Sequence, residues 1–162
     1  MTGSNIRMAE DSDRDEIIEI FNYYVKEGFA AYPDSPVPPG SHDILLGGIH
    51  ACFIIENNCR VAGFSILRPL LPFPTFDKSA TISTFIENNS RYKGYGKMLL
   101  NRVELEARSR NITLLLASIS SENKESLKFH AKYGFSECGR FHKAGVKFNT
   151  TFDLVWMEKT FI

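Results

Sequence analysis

Two apolar, β-prone segments, His50 to Ile55 and Arg60 to Leu67, are separated only by Glu56-Asn57-Asn58-Cys59. A connection that short cannot carry a parallel crossover, which takes about a dozen residues or more, so the two strands form an antiparallel hairpin. A doubly wound parallel sheet is thereby disfavoured, and the remaining elements must be arranged around a sheet that begins antiparallel.

Those elements can be read in order. Ser12 or Asp13 can cap a helix whose apolar residues Ile17, Ile20, Phe21, Tyr24 and Val25 recur at helical spacing, with Gly28 as its stop. Pro33, Pro36, Pro38, Pro39 and Gly40 break regular structure before a short helix from Ser41 to Leu46. After the hairpin, the segment Arg68 to Phe76 holds three prolines and cannot be a central strand, yet it carries Leu70, Leu71, Phe73 and Phe76. Such an apolar loop packs on the domain or lines a pocket or a subunit contact. A strand from Ala80 to Ile86, a helix from Gly96 to Arg110, a buried strand from Ile112 to Ser118 and a helix from Asn123 to Tyr133 follow. Two final β segments, Phe135 to His142 and Phe152 to Phe161, flank a turn at Gly145 to Thr151. The expected fold class is α/β in the α+β sense: a mixed, mostly antiparallel sheet flanked by helices, in one domain spanning residues 1–162.

Charge and cysteine usage exclude several functions. Lys plus Arg and Asp plus Glu both number 19, so no single-sign field is available to hold a polyanion, and nucleic acid is not an expected partner. The N-terminal residues lack the basic start and apolar stretch of a secretory signal, and the most apolar segment is too short and interrupted to span a bilayer. No membrane association is expected. Cys52, Cys59 and Cys138 form neither an even set nor a C-x-x-C, which fits reduced thiols in a cytoplasmic protein. His42, His50, His130 and His142 show no metal-ligand spacing, so no metal is expected.

The segment Arg91-Tyr92-Lys93-Gly94-Tyr95-Gly96 lies between a strand and a helix. Helix N-termini leave N–H groups unpaired beside a partial positive charge, and glycines let those groups approach phosphate oxygens. A Walker loop would need Gly at position 91 and Ser or Thr at 98, where this chain has Arg91 and Met98. A dinucleotide fingerprint would need a third Gly at position 99, where Leu99 stands. Downstream, Asn123-Lys-Glu-Ser126-Leu-Lys-Phe129-His130-Ala-Lys-Tyr133-Gly134-Phe135 gives a polar helix start followed by a Gly-Phe exit.

With both motifs in this order, the chain resembles the GNAT superfamily of acetyl-CoA-dependent N-acetyltransferases. Ile6-Arg7-Met8-Ala9, Phe129-His130 with Gly134-Phe135, and the tail through Ala144-Gly145-Val146-Lys147 and Phe152-Asp153-Leu154 are similar to its phosphinothricin acetyltransferase-like branch. The resemblance implies an acyl-CoA cleft where neighbouring strands splay apart. Main-chain groups of Thr84, Phe85 and Ile86 would pair with the pantetheine arm of acetyl-CoA. Those of Tyr92, Lys93, Gly94, Tyr95, Gly96 and Lys97 would meet its pyrophosphate, with Arg91 and Lys93 near the nucleotide end and Asn123 at the later helix start. It implies direct transfer of the acetyl group to the amine of a small molecule, such as an amino acid or analogue. Homodimers are common in that family, and the resemblance extends this expectation here.

Acetyl transfer to an amine needs a free base, a polarised carbonyl and a proton for the departing thiolate. His130 lies where the resembled branch also has His, and it is the expected catalytic residue; the alternative is a His packed on an amphipathic helix beside Phe129. Two polar groups of that branch are replaced, by Thr81 before the glycine loop and by Phe152 before the tail Asp153. Glu87 lies nearer the cofactor loop, and Asp153 is a minor candidate. The loop from Leu70 to Phe76, together with residues near Tyr32, is expected to shape the acceptor side. Two rivals stand beside the enzyme: an acyl-CoA-binding module with impaired catalysis, and a protein or peptide N-terminal acetyltransferase.

Overall fold

A computed structural model describes residues 4–161. The chain runs β1 (Asn5–Met8), α1 (Arg14–Lys26), α2 (Asp43–Leu46), β2 (Ala51–Asn57), β3 (Arg60–Pro69), β4 (Ser79–Ile86), α3 (Tyr95–Ser109), β5 (Leu114–Ser120), α4 (Lys124–Lys132), β6 (Ser136–Lys147) and β7 (Thr150–Thr160). The seven strands form one sheet in the order β1-β2-β3-β4-β5-β7-β6. Every adjacent pair is antiparallel except β4 and β5, which are parallel and joined by the crossover helix α3.

Alternation along the strands divides the core between two faces. On β2, Phe53 and Ile55 join the apolar cluster containing Leu99, Leu100, Val103 and Ala107 of α3. Their neighbours Cys52 and Ile54 join the cluster containing Ile17, Ile20, Phe21 and Val25 of α1. The sheet is therefore sandwiched by α3 on one side and α1 on the other. No helix among the described residues is long and apolar enough to cross a membrane.

The mostly antiparallel sheet expected from the sequence is present, with differences at two places. Asn5–Met8 forms an edge strand, paired with β2 from Asn5 opposite Glu56 to Met8 opposite Phe53. The last hairpin turns at Phe148 and Asn149, both with positive φ (51° and 55°), so β6 extends through Gly145 to Lys147 where a longer turn was expected. The β2–β3 hairpin turns the same way at Asn58 and Cys59, with φ of 52° and 59°.

Asp13 does not cap α1 with its side chain. Instead its carboxylate, 8% exposed, takes a bidentate pair from Arg7 at 2.7 and 2.8 Å and a hydrogen bond from the Glu10 amide at 2.7 Å. Arg7 also reaches Glu56 of β2 at 2.7 Å, so one guanidinium fastens the edge strand to the start of α1. The Arg7 guanidinium holds the Asp13 carboxyl below its ordinary value. A lowered carboxyl contributes stability that is full above its unfolded value near 3.8 and is lost as pH falls through its folded value. Asp13→Asn should cost about 2 kcal/mol in urea unfolding at pH 7, and the gap to the parent protein should close as the pH falls below about 4. An equal gap at pH 7 and pH 3 would contradict this role.

Candidate active site

Pairing between β4 and β5 is confined to Ser79–Leu114, Ala80–Leu115 and Thr81–Leu116. Beyond Thr81 the two strands diverge, and β4 continues to Ile86 while β5 continues to Ser120. The expected splay is therefore real, and it leaves main-chain groups of 82–86 and 117–120 without each other as partners. A cleft of about 450 Å³ opens at the divergence, lined by Thr84, Phe85 and Ile86 on one side and Asn123, Ser126, Phe129 and His130 on the other.

The glycine segment closes one end of this cleft. Gly94 holds φ at +82° as the residue before α3, a left-handed conformation that costs any residue with a Cβ about 1–2 kcal/mol. A Cβ built there meets nothing within 4 Å, so the space before it is open. Gly96 serves a different purpose, because a Cβ there would stand 3.1 Å from the Phe129 ring; its absence lets α3 pack against α4. Among the described residues, the main-chain N–H groups of Tyr92 to Lys97 have no hydrogen-bond acceptor, and Met98 is the first to find one, at Gly94 O (3.2 Å). That run of free amides at a helix N-terminus is chemically suited to a diphosphate.

The far end of the cleft opens into a second cavity of about 160 Å³, walled by Phe21, Phe29, Tyr32, Phe85 and Ile82, with Ser83, Ser118 and Ser120 among its hydroxyl residues. Ala30, Thr84, Phe85, Asn123, Ser126 and His130 border both spaces. The Tyr32 hydroxyl donates to Ser118 O at 2.9 Å, tying the wall to β5. Tyr32 also stacks on Phe152, with ring centroids 6.3 Å apart and planes at 12°.

His130 sits at the junction, only 7% exposed. Its Nδ1 lies 2.8 Å from Ser126 O, which can only accept, so Nδ1 carries the proton and Nε2 the lone pair. Nε2 has no partner among the described residues, and it is not sealed from solvent. Burial pushes the imidazole below its ordinary value of 6.5, which keeps it neutral at pH 7. Asn123 caps α4 by accepting from the Ser126 amide at 3.2 Å, which fixes the turn that orients His130.

Of the residues expected at the cofactor site, Thr84, Phe85, Ile86, Arg91, Tyr92, Gly94, Tyr95, Gly96, Lys97 and Asn123 line the larger cleft, as does His130, but Lys93 does not. Arg91 and Tyr92 both bond Glu125 of α4, so these side chains bridge the cleft mouth. Glu87 caps the Asn89 amide at 3.0 Å and lines a separate surface depression with Glu16 and Glu19. Asp153 accepts from the Lys143 amide and from Arg140, holding the β6–β7 hairpin. Thr81 borders neither cavity, and neither does the loop from Leu70 to Phe76, whose Leu71 and Phe73 are exposed. That loop therefore does not shape this cavity; Tyr32 does.

Tyr24 also lines the cleft, together with the motif residues Ser126 and Phe129, and sequence reasoning gave Tyr24 no role there. The Tyr24 hydroxyl donates to Ile86 O at 2.6 Å, and burial pushes its phenol up to about 12. On the sequence it was indistinguishable from the apolar stripe of α1. Phe152, by contrast, is explained: it is buried and fills the space left by Gly145, where a Cβ would stand 2.3 Å from its ring. Cys52 is buried and its thiol is pushed up to about 12, which leaves it inert as a nucleophile.

This geometry agrees with comparisons to known proteins. The L-methionine sulfoximine/L-methionine sulfone acetyltransferase of Salmonella typhimurium is 29% identical to this chain, covering 94% of it and 92% of its own length. A ribosomal-protein-alanine N-acetyltransferase from Brucella melitensis superposes with a TM-score of 0.88 at 30% identity, over 97% of this chain and 99% of its own. The yncA structure from Salmonella typhimurium, described with its cofactor acetyl-CoA, gives 0.87 at 28% identity, over 97% and 93%. The model of the acetyltransferase (GNAT) domain matches residues 6–156, and with the strand divergence, the free amide run and the shared helix start in place, the chain belongs to the GNAT acetyltransferase family.

Proposed function

We propose that this protein transfers the acetyl group of acetyl-CoA to the free amine of a small molecule of the amino-acid class, with His130 as the base. The observation that carries the reading is the junction: His130 borders both the cleft with the free amides and the small walled cavity. Bound acetyl-CoA supplies the activated acetyl group, held by main-chain groups of Thr84 to Ile86 and Tyr92 to Lys97. The remaining chemistry belongs to this chain's side chains. An alkylammonium ion is unreactive until it loses a proton, and among the described residues the only neutral base bordering the small cavity is Nε2 of His130. Ser126 O fixes the tautomer, so the lone pair faces outward before any substrate arrives. That first proton passes on to solvent; the second, lost by the same amine nitrogen as the amide forms, is taken by Nε2 in turn and delivered to the departing thiolate. His130 thus accepts a proton before it gives one up.

The small size of the cavity and the Tyr32–Ser118 bond across its wall favour a compact amine over a peptide terminus, which needs an open groove. The free thiols at Cys52, Cys59 and Cys138 support a cytoplasmic setting. Strand β6 is an exposed sheet edge bearing Phe141 and Val146, with Phe148 exposed in the turn that follows, which supports pairing of two copies through this edge. Sedimentation should give twice the mass of 18.4 kDa, and a monomer at 50 µM, about the concentration of a standard run, would exclude the pairing.

The direct test is release of free CoA from acetyl-CoA with a panel of amines that includes L-methionine sulfoximine, phosphinothricin, free amino acids and an alanine-first peptide. Turnover with a small amine and none with the peptide is expected. Tight acetyl-CoA binding without CoA release from any amine would replace the enzyme with a binding module. Gly94→Val should raise the acetyl-CoA Kd about tenfold in calorimetry, because the left-handed turn that aims the amides is lost. An unaltered Kd would remove this loop from the cofactor site.

His130→Gln should lower kcat about a hundredfold while the acetyl-CoA Kd stays within about twofold. Because the imidazole must be neutral to accept a proton, the parent rate should fall as pH drops through a value below 6.5, and the variant should lose that limb. A variant retaining the same acid limb would assign the base elsewhere.

A further inference from the structure

The acceptor wall hangs on a residue that touches neither cavity. Lys147 is the last residue of β6 and only 8% exposed, yet it has no carboxylate partner among the described residues. Its Nζ donates to Ala31 O at 2.7 Å, Gly28 O at 2.9 Å and Tyr24 O at 3.3 Å. An ammonium group has three N–H donors, and here all of them end on main-chain carbonyls of one short segment. The Tyr24 carbonyl belongs to the last turn of α1, where carbonyls lack helical partners and a cation is favoured by the helix dipole. Gly28, at φ +81°, turns the chain so that its own carbonyl and that of Ala31 converge on the same point.

This bond set governs where Phe29 and Tyr32 lie. Both project from the segment that Lys147 grips, and both pack on the hairpin that carries it: Phe29 meets Phe148 at 5.7 Å and Phe152 at 5.9 Å, and Tyr32 stacks on Phe152. Burying a charged ammonium for packing alone is unfavourable; a methionine would fill the same space without desolvation. What the ammonium adds is direction, since converging carbonyls repel one another unless a cation stands between them.

We propose that Lys147 is a positioning residue for the amine acceptor: by gathering the carbonyls of Tyr24, Gly28 and Ala31 it sets the wall of the small cavity, and so governs recognition of the amine rather than of acetyl-CoA. The inference rests on the assignment of that cavity to the acceptor. It places a specificity device on the β6–β7 hairpin, at the opposite end of the chain from the segment it holds.

Lys147→Met and Lys147→Arg test it. Methionine keeps the volume and loses every bond; arginine keeps the charge, but its planar fork cannot meet three carbonyls that converge on a point. With the panel amine of highest kcat/KM, both variants should raise the amine KM at least tenfold while the acetyl-CoA KM moves less than twofold. Deuterium uptake should rise across residues 27–33 and stay constant across residues 92–97. Ser83→Phe, which fills the small cavity, separates the two levels of the argument. If it raises the amine KM while both Lys147 variants leave it unmoved, the role of Lys147 is overturned and the cavity assignment stands. If none of the three moves it, the cavity assignment falls and the role of Lys147 with it. Should Lys147→Met fail to fold, the arginine variant decides: an equal rise in both KM values would mark a general structural role and overturn the proposal.

Discussion

The end of β4–β5 pairing at Thr81 and Leu116 is the constraint on which the rest of this protein depends. A parallel ladder that continued would satisfy its own backbone and leave no room for a ligand. Because the strands part instead, each contributes a polar edge to a common opening, and backbone groups left unpaired in a protein interior demand a partner. The helix starts on either side add to this demand. Free amides from Tyr92 to Lys97 close one end, and the capped first turn of α4 stands at the other.

Around that opening, the side chains divide the labour by burial. Glycines at 94 and 96 act oppositely, one by conformation and one by close packing against Phe129. His130 is held by a main-chain carbonyl one turn back on its own helix, so its tautomer follows from helix geometry and needs no carboxylate. In the proposed reading, this lets a GNAT chain carry Thr81 and Phe152 where its resembled branch has polar groups. Phe152 backs the cavity wall by stacking on Tyr32, and in the proposed reading the imidazole is the base beside the small cavity.

Most of the sheet was legible because β2, β3, β5 and β7 are long, apolar and punctuated by turn residues. Strand β1 was not legible. It spans only Asn5–Met8, none of its residues is fully buried, and its position is set by Arg7 reaching Asp13 and Glu56. The proposed cofactor loop could be read from Gly94 because conformation is local. The wall proposed for the acceptor could not, since Lys147 finds its partners more than a hundred residues away, on carbonyls that carry no side-chain signal. The apolar loop from Leu70 to Phe76 misled for the same reason: hydrophobicity marks surface that needs covering, and it does not say by what.

The central claim is that the gap between β4 and β5 is the seat of acetyl-CoA. Backbone amide shifts recorded by NMR during titration with acetyl-CoA test it residue by residue. The account predicts saturable shifts concentrated at residues 82–86 and 92–97 and at Asn123 to Ser126, with the strands β1 and β2 unaffected. Shifts confined to the depression lined by Glu16, Glu19 and Glu87, with the strand gap silent, would contradict it.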